Sequence, residues 1–309
     1  MSSAPPGAWP PRSSQLAILI PFGIVTLIWG STWLVIRGQL GVVPASWSVT
    51  YRFLVAGIVM AGYAAARGER LKLDARGWRF AILLGLAQFT LNFNFVYRAE
   101  MYITSGLVAV VFALMLLPNA VFGRIFLGQK LGRQLVVGMG VAMAGVALLF
   151  LREMRVDPHG PTQVLTGIGF TVLAIFSASS ANVMQGTQTA RAYPMIPMLA
   201  VAMLLGALFD GAFAWITTGP PVFEPTLAYV AATLYLGVFA SAVAFPLYFG
   251  VLRVIGPAKA AYSGVLVPVI AMCLSTLFEG YRWSALAAAG AALVIGGLVI
   301  ALKARRPAR

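Results

Sequence analysis

Ten hydrophobic runs, each long enough to cross a lipid bilayer, follow one another along the 309 residues of this chain. About 20 apolar residues in a helix cover the ~30 Å hydrocarbon core of a membrane. The connections between the runs are short, so we expect no sizeable domain outside the membrane. The expected spans are Leu16–Ile36, Ala45–Ala66, Trp78–Tyr97, Thr104–Ile125, Leu135–Leu151, Val164–Thr187, Met195–Thr217, Leu227–Phe249, Ala258–Phe278 and Trp283–Leu302.

Charged residues make up only 10% of the chain and hydrophobic residues 60%, whereas soluble domains carry about 25% charged residues. Inside lipid the backbone hydrogen bonds must be satisfied by the protein itself, so only helices and closed β-barrels cross a membrane. The runs are continuous and lack the alternating polarity of barrel strands. We therefore predict an all-α integral membrane protein with ten transmembrane helices.

The formal net charge of +14 reflects an uneven placement of the basic residues. On the ten-span topology, 16 lysines and arginines lie on the side of the two termini and 5 lie on the other side. Basic loops are retained in the cytoplasm, so we predict a multi-pass protein of the plasma (inner) membrane with both termini cytoplasmic. The basicity is thus a topology signal, and we expect no nucleic-acid partner.

The second half of the chain repeats a pattern of the first half. Pro118 and Pro268 stand 150 residues apart, and eleven residues after each comes Gln129 or Glu279. A unit of five spans turns the second copy over in the membrane, and inverted repeats are typical of secondary transporters. The predicted organisation is a disordered cytoplasmic tail (1–15), a first five-helix repeat (16–151), a second, inverted five-helix repeat (164–302) and a basic cytoplasmic tail (303–309).

A set of residues spread along the chain carries a family resemblance. The set contains Trp29–Gly30, Pro44, Arg52–Phe53, the two proline-to-Gln/Glu endings and the closing segment Phe278–Ile300. It resembles the drug/metabolite transporter superfamily, specifically its EamA-type ten-helix exporters, over nearly the whole chain. One departure is Gln129, where the family tends to carry Glu. The resemblance implies export of small metabolites, most often amino acids, and the aromatic amino acid exporter subgroup looks closest.

Enzyme motifs are absent from the sequence, which has no nucleophile elbow, zinc-protease helix or phosphate loop. The single histidine, His159, stands in a turn-forming stretch. We therefore predict no catalytic residue, no metal site and no cofactor. A membrane-embedded enzyme of lipid metabolism and a channel are the alternatives, and the inverted repeat favours a carrier over both. The oligomeric state is open, with a monomer slightly favoured.

Polar residues deep in the spans are the candidate substrate contacts. Gln88 and Asn92 share a helix face in the first half, and Asn182 and Gln185 share one in the second half. The structural alternative is that they form hydrogen bonds between helices. We predict alternating access around a central cavity that is polar and aromatic, without fixed charge, and suited to a zwitterionic or neutral molecule. The predicted substrate-binding residues are Trp29, Gln88, Asn92, Asn182, Gln185, Ser241, Tyr248 and Tyr262.

Two further pairs of residues stand out inside the spans. An unpaired charge at lipid depth is costly, so we predict a structural ion pair between Arg52 and Asp210. The alternative is that each reaches the membrane interface alone. Pro118 and Pro268 each remove a helical hydrogen bond, and we predict that they act as hinges, with static kinks as the alternative.

The fifth and tenth spans each carry a stripe of small residues, which predicts that each packs closely against a neighbouring helix. The stripes are Gly138, Ala142 and Gly145, and Ala288, Ala292 and Gly296.

The acidic residues bear on energy coupling. Of the eight, only Asp210 is placed well inside a span, and Glu100 is assigned to an outer loop. Proton-driven carriers keep a titrating group in the transport path. We therefore predict exchange down substrate gradients without obligatory proton coupling.

Reporter fusions test the predicted topology. A fusion at Lys303 should report the cytoplasm and a fusion at His159 the outer side, because the basic loops are retained inside. A C-terminal fusion that reports the outer side would show that the number of spans is wrong by an odd number.

Overall fold

All regular structure in the described part of the chain is helical. The structure is a computed structural model that describes residues 12–128, 132–156, 161–255 and 263–302. A short helix, Gln188–Ala192, precedes the long helix Met195–Thr218. The helices are α1 (Arg12–Gly38), α2 (Ala45–Ala66), α3 (Ala75–Leu84, resuming as Asn92–Glu100), α4 (Ser105–Phe112, resuming as Leu116–Leu127), α5 (Arg133–Val156), α6 (Pro161–Gln185), α7 (Met195–Thr218), α8 (Leu227–Leu234, resuming as Ala244–Ile255), α9 (Ser263–Phe278) and α10 (Ala285–Leu302).

Three of these helices change their winding partway along. A π-helical segment, Gly85–Leu91, interrupts α3, and a second one, Tyr235–Val243, interrupts α8. A 3₁₀ turn, Ala113–Met115, interrupts α4. The chain continues in helical conformation through each segment, so the backbone groups stay paired as the bilayer core requires.

The all-α membrane fold is confirmed by length and composition. In the described ranges, seven helices are long and apolar enough to cross a membrane. Three shorter apolar helices, Arg133–Leu149, Leu266–Phe278 and Ala285–Ala301, fall where the fifth, ninth and tenth spans are expected. The count of ten crossings and the inversion of the second half stay predictions.

The helices associate in pairs around a central group. α5 packs along α10, and α2 packs along α7. Between these two pairs, α1 contacts α8 and α9, α3 contacts α6, and α4 contacts α9. The central group therefore combines helices from both halves of the chain.

Glycines bring α5 and α10 into backbone contact. A Cβ atom on Gly138 would lie 2.3 Å from the backbone N of Ala301, and one on Gly145 would lie 2.6 Å from the carbonyl oxygen of Gly290. Gly297 is equally close to α5, since its Cβ would lie 2.4 Å from the backbone N of Ala142. Small residues allow this approach, which supplies dispersion contacts where no hydrophobic effect acts between helices.

The stripe predicted on α5 makes this contact, but the one predicted on the tenth span is wrong. Gly296 has no neighbour within 4 Å of a built Cβ, whereas Gly290 and Gly297 are in tight contact. Nearly every face of α10 carries alanine or glycine. The positions of small residues in the sequence therefore do not predict which face of α10 packs against α5.

At one end of the bundle, polar contacts join the connections of the two halves. Asp74 caps α3 by accepting from the Gly77 N–H at 2.7 Å, and it also accepts from the Tyr193 hydroxyl. These two donors, Tyr193 first, hold the pKa of the Asp74 carboxyl below its usual value. Arg76 donates to Thr189 at 2.7 Å beside them.

The glycine contact can be tested with a matched pair of variants on α5. Gly138→Ala should destabilise the protein by about 1–3 kcal/mol, because the new methyl group would overlap the α10 backbone. Gly140→Ala should be neutral or slightly stabilising, because Gly140 is exposed with no atom within 4 Å of its Cβ position. Thermal unfolding in detergent compares the two, and equal stability would contradict the packing described.

Candidate functional site

A cavity of about 110 Å³ lies in the central group of helices and is lined by residues of both halves. The lining residues come from α1, α2, α3 and α4 of the first half and from α6, α8 and α9 of the second half. The polar lining residues are Thr32, Arg52, Gln88, Asn92, Asn119 and Asn182. The aromatic lining residues are Trp29, Trp33, Phe93, Phe112, Phe245 and Tyr248.

The π-helical segments shape the cavity wall. Gln88 lies in the segment of α3, and Asn92 starts the α-helix that follows it. In the segment of α8, the Ser241 hydroxyl donates to the Leu236 carbonyl five residues back, at 2.8 Å. Such wide turns shift the side chains that follow them around the helix axis, and they are frequent at functional sites.

Aromatic rings from three helices form one wall. The ring of Trp29 lies 4.8 Å from that of Tyr248 and 5.4 Å from that of Phe245, centroid to centroid. The indole N–H of Trp29 donates to the Ala240 carbonyl at 3.2 Å, in the π-helical segment of α8. Phe245 in turn packs edge-on against Phe93 of α3, at 6.2 Å. The wall therefore joins α1, α3 and α8 across the two halves.

Most of the predicted substrate-binding residues line this cavity, although their binding role stays a prediction. They are Trp29, Gln88, Asn92, Asn182 and Tyr248.

The other predicted contacts lie elsewhere. Ser241 is behind the wall, where its hydroxyl accepts from Arg52 Nε at 3.0 Å. Gln185 is fully buried outside the lining, and its Oε1 accepts from Arg253 at 2.9 Å. Tyr262 lies outside the described residues.

The predicted ion pair between Arg52 and Asp210 is wrong in this structure. Arg52 lies in the cavity wall, with its Cζ 4.1 Å from the centroid of the Phe93 ring. Asp210, fully buried on α7, accepts from Asn94 Nδ2 at 2.5 Å. The face of α2 toward Asn94 carries Ser46, six residues before Arg52. Because Arg52 follows Ser46 by six residues, it lies about 9 Å further along α2 and about 120° around the helix axis, on the side toward α8.

Asn94 is the node of a polar cluster outside the cavity. Its Oδ1 accepts from Ser46 at 2.7 Å and from Arg98 at 2.8 Å, while its Nδ2 donates to Asp210. Arg98 also donates to the Ser46 hydroxyl at 3.1 Å. The cluster therefore joins α2, α3 and α7, and Asp210 serves it as an acceptor.

The cavity differs from the predicted one because it contains a fixed charge. Arg52 brings a guanidinium group to a lining that the sequence predicts to be neutral. Asn119 is a second polar residue that the sequence interpretation missed. Its one signal is a polar side chain directly after Pro118, in an apolar run.

The sequence predicts Glu100 in an outer loop, and this prediction is wrong. Glu100 is the last residue of α3 and is fully buried. Its carbonyl accepts a hydrogen bond from Arg37. The prediction of transport without proton coupling rested on Asp210 being the only deep acid, and this burial removes that premise.

The two prolines differ in their surroundings. Pro118 follows the 3₁₀ turn Ala113–Met115, where α4 loses its regular winding. Pro268 lines the cavity within an uninterrupted α9. Their role as hinges stays a prediction, but the two helices do not share one geometry.

Comparison with known proteins identifies the relatives of this chain. The model of the EamA-like transporter family matches residues 17–151 and again residues 165–303. Protein PagO of Salmonella typhimurium is 26% identical over 273 residues, which cover 87% of this chain and 88% of PagO. The uncharacterized inner membrane transporter YedA of Escherichia coli K12 is 28% identical over 260 residues, covering 82% of this chain and 80% of YedA. A solved crystal structure at 22% identity has the same fold, with a TM-score of 0.69 over 94% of this chain and 97% of its own.

Double-mutant cycles can test the contacts of Asp210. The effects of Arg52→Ala and Asp210→Ala on the free energy of unfolding should add to within about 0.5 kcal/mol, because the two side chains do not touch. Asn94→Ala and Asp210→Ala should couple by about 1–3 kcal/mol, because they share a buried hydrogen bond. Unfolding of the purified variants in detergent gives both values. Strong coupling in the first cycle would restore the ion pair.

Proposed function

Because this chain belongs to the EamA-like transporter family, we propose that it is a secondary transporter that exports small zwitterionic or neutral metabolites. Amino acids, aromatic and hydrophobic ones included, are the first candidates. Transport proceeds by alternating access, in which the central cavity faces one side of the membrane and then the other. The observation that carries this proposal is a cavity between candidate membrane-spanning helices, lined by both halves of the chain.

The composition of the lining supports a small amphipathic substrate. Side-chain amides from α3, α4 and α6 face the cavity together with the rings of Trp29 and Tyr248. Aromatic walls bind apolar groups over a large contact area, and amides offer both donors and acceptors. An amino acid presents both kinds of group.

Contacts at one end of the cavity bear on its opening. Ile36 and Val96 line the cavity, and beyond them Arg37 donates to the carbonyl of Glu100. Glu279 of the second half accepts from the Ser105 hydroxyl at 2.6 Å and from its N–H at 3.4 Å. Its carboxylate therefore caps the start of α4, where the helix dipole favours a negative charge.

These contacts must break before a substrate can leave on that side. On the predicted topology this side faces away from the cytoplasm. Placement in the inner membrane is supported by the similarity to YedA, which is named as an inner membrane transporter.

Counterflow in proteoliposomes tests the proposed function. Vesicles loaded with unlabelled L-phenylalanine should take up labelled L-phenylalanine transiently and with saturation, because a carrier exchanges substrate through one site. A channel would show no counterflow. An enzyme would move nothing across the membrane.

A matched pair of variants on α6 tests the cavity in the same assay. Asn182→Leu should raise the KM about threefold to tenfold, because the cavity loses one neutral hydrogen-bonding side chain. Ser177→Leu should leave the KM unchanged, because the Ser177 hydroxyl bonds only the Leu173 carbonyl of its own helix in the structure and lies outside the lining. Equal KM values for both variants would contradict the assigned site.

A further inference from the structure

Three side-chain atoms of the cavity lining are buried without a hydrogen-bond partner. They are Nη1 of Arg52, Nε1 of Trp33 and Oδ1 of Asn92. Buried polar groups in proteins are nearly always paired. Buried atoms without a partner also occur away from the cavity, at Glu100 and Asp210 for example, but these three share one lining. Two of the three atoms are donors and the third is an acceptor, which is a pattern that one ligand with both kinds of group can satisfy.

The guanidinium group of Arg52 is held in place by neighbours other than a carboxylate, and the buried Glu100 carboxylate acts on it electrostatically from beyond 4.0 Å. Its Nε donates to Ser241, and its Cζ lies over the Phe93 ring, 4.1 Å from the centroid. In the described ranges, the ion pairs within 4.0 Å are Arg37–Glu279 and Arg67–Glu69. No described carboxylate therefore lies that close to Arg52, although its side chain is only 1% exposed. A positive charge in an apolar, aromatic cavity favours an anionic ligand group.

The orientation of the Asn92 amide is set by its helix. Its Nδ2 donates to the Gln88 carbonyl at 3.4 Å, and a carbonyl can only accept. Oδ1 is therefore the atom without a partner. It can accept a hydrogen bond from an ammonium group or another donor of a ligand.

We propose that Arg52 binds a carboxylate group of the transported molecule, with the Trp33 indole N–H as the second donor, and that Asn92 Oδ1 accepts from its ammonium group. This inference rests on the proposed function and narrows its substrate class to monocarboxylates that carry a donor group, with the aromatic lining around their apolar part. Neutral metabolites and simple amines, which lack a carboxylate, are excluded as good substrates.

Four probes that share a phenyl group separate the contributions of the charged groups. L-Phenylalanine carries both groups, L-phenylalaninamide and phenethylamine lack the carboxylate, and 3-phenylpropionate lacks the ammonium. Stabilisation against thermal unfolding in detergent measures their binding without any need for transport. The wild-type protein should bind phenylalanine at least tenfold more tightly than its amide, because a charge-assisted hydrogen bond is lost in the amide.

Variants assign this preference to residues. Arg52→Gln should reduce the preference for acid over amide to within about threefold, and Arg52→Lys should retain part of it because the charge remains. Asn92→Leu should weaken the binding of phenylalanine but not that of 3-phenylpropionate. Arg98→Gln is the matched control, since Arg98 is an arginine of α3 outside the cavity lining whose side chain contacts Asn94, Ser46 and Phe213. It should keep the wild-type preference.

The outcomes distinguish this inference from the proposed function. Equal binding of acid and amide by the wild-type protein, a wild-type preference in Arg52→Gln, or no stabilisation by any carboxylate probe would each overturn it. Binding that depends on the carboxylate and on Arg52, without counterflow in proteoliposomes, would support the site and contradict the transporter. Counterflow that is inhibited equally by the acid and the amide would support the transporter and contradict the site.

Discussion

The bilayer core contains no water, so the chain must satisfy its own backbone hydrogen bonds there. The rest of this structure depends on that constraint. It makes every regular element in the described ranges helical. It also limits where the winding can change. The irregular segments Gly85–Leu91, Ala113–Met115 and Tyr235–Val243 all remain helical, and they contribute residues to the cavity or to the shell behind it. Departures from ideal winding are thus concentrated around the cavity.

The same constraint divides the buried polar side chains into two groups. Asn94, Asp210, Arg98 and Ser46 bond one another and join three helices. Arg52 and Asn92 each keep one buried polar atom without a partner, and both face the cavity. A cluster of hydrogen-bonded side chains stabilises the packing of helices, whereas unpaired groups that line a cavity are available to a ligand. The distinction comes from the position of the residues, since both groups contain an arginine and an asparagine, and Asp210 Oδ2 also lacks a partner but lies outside the cavity lining.

Close backbone contact completes the arrangement at the periphery. Gly138 and Gly145 of α5 meet Gly290 and Gly297 of α10. This contact leaves no space for side chains between the two helices. The central helices that line the cavity are bounded by such tightly packed pairs. The proposed movement between the two halves would have to break contacts near the end of the cavity, including those of Glu279 with Ser105 and Arg37.

The sequence by itself determined the membrane fold class, the positions of the apolar helices and several residues of the cavity. Each of these depends on local properties, namely the length of an apolar run and the rarity of amides such as Asn92 and Asn182 within it. Only the tertiary structure decided the partner of Asp210, the burial of Glu100, the contact face of α10 and the position of Arg52 in the cavity. The physical reason is that these features depend on how each helix is rotated against its neighbours. Helices that are apolar on all faces carry no periodic signal of that rotation.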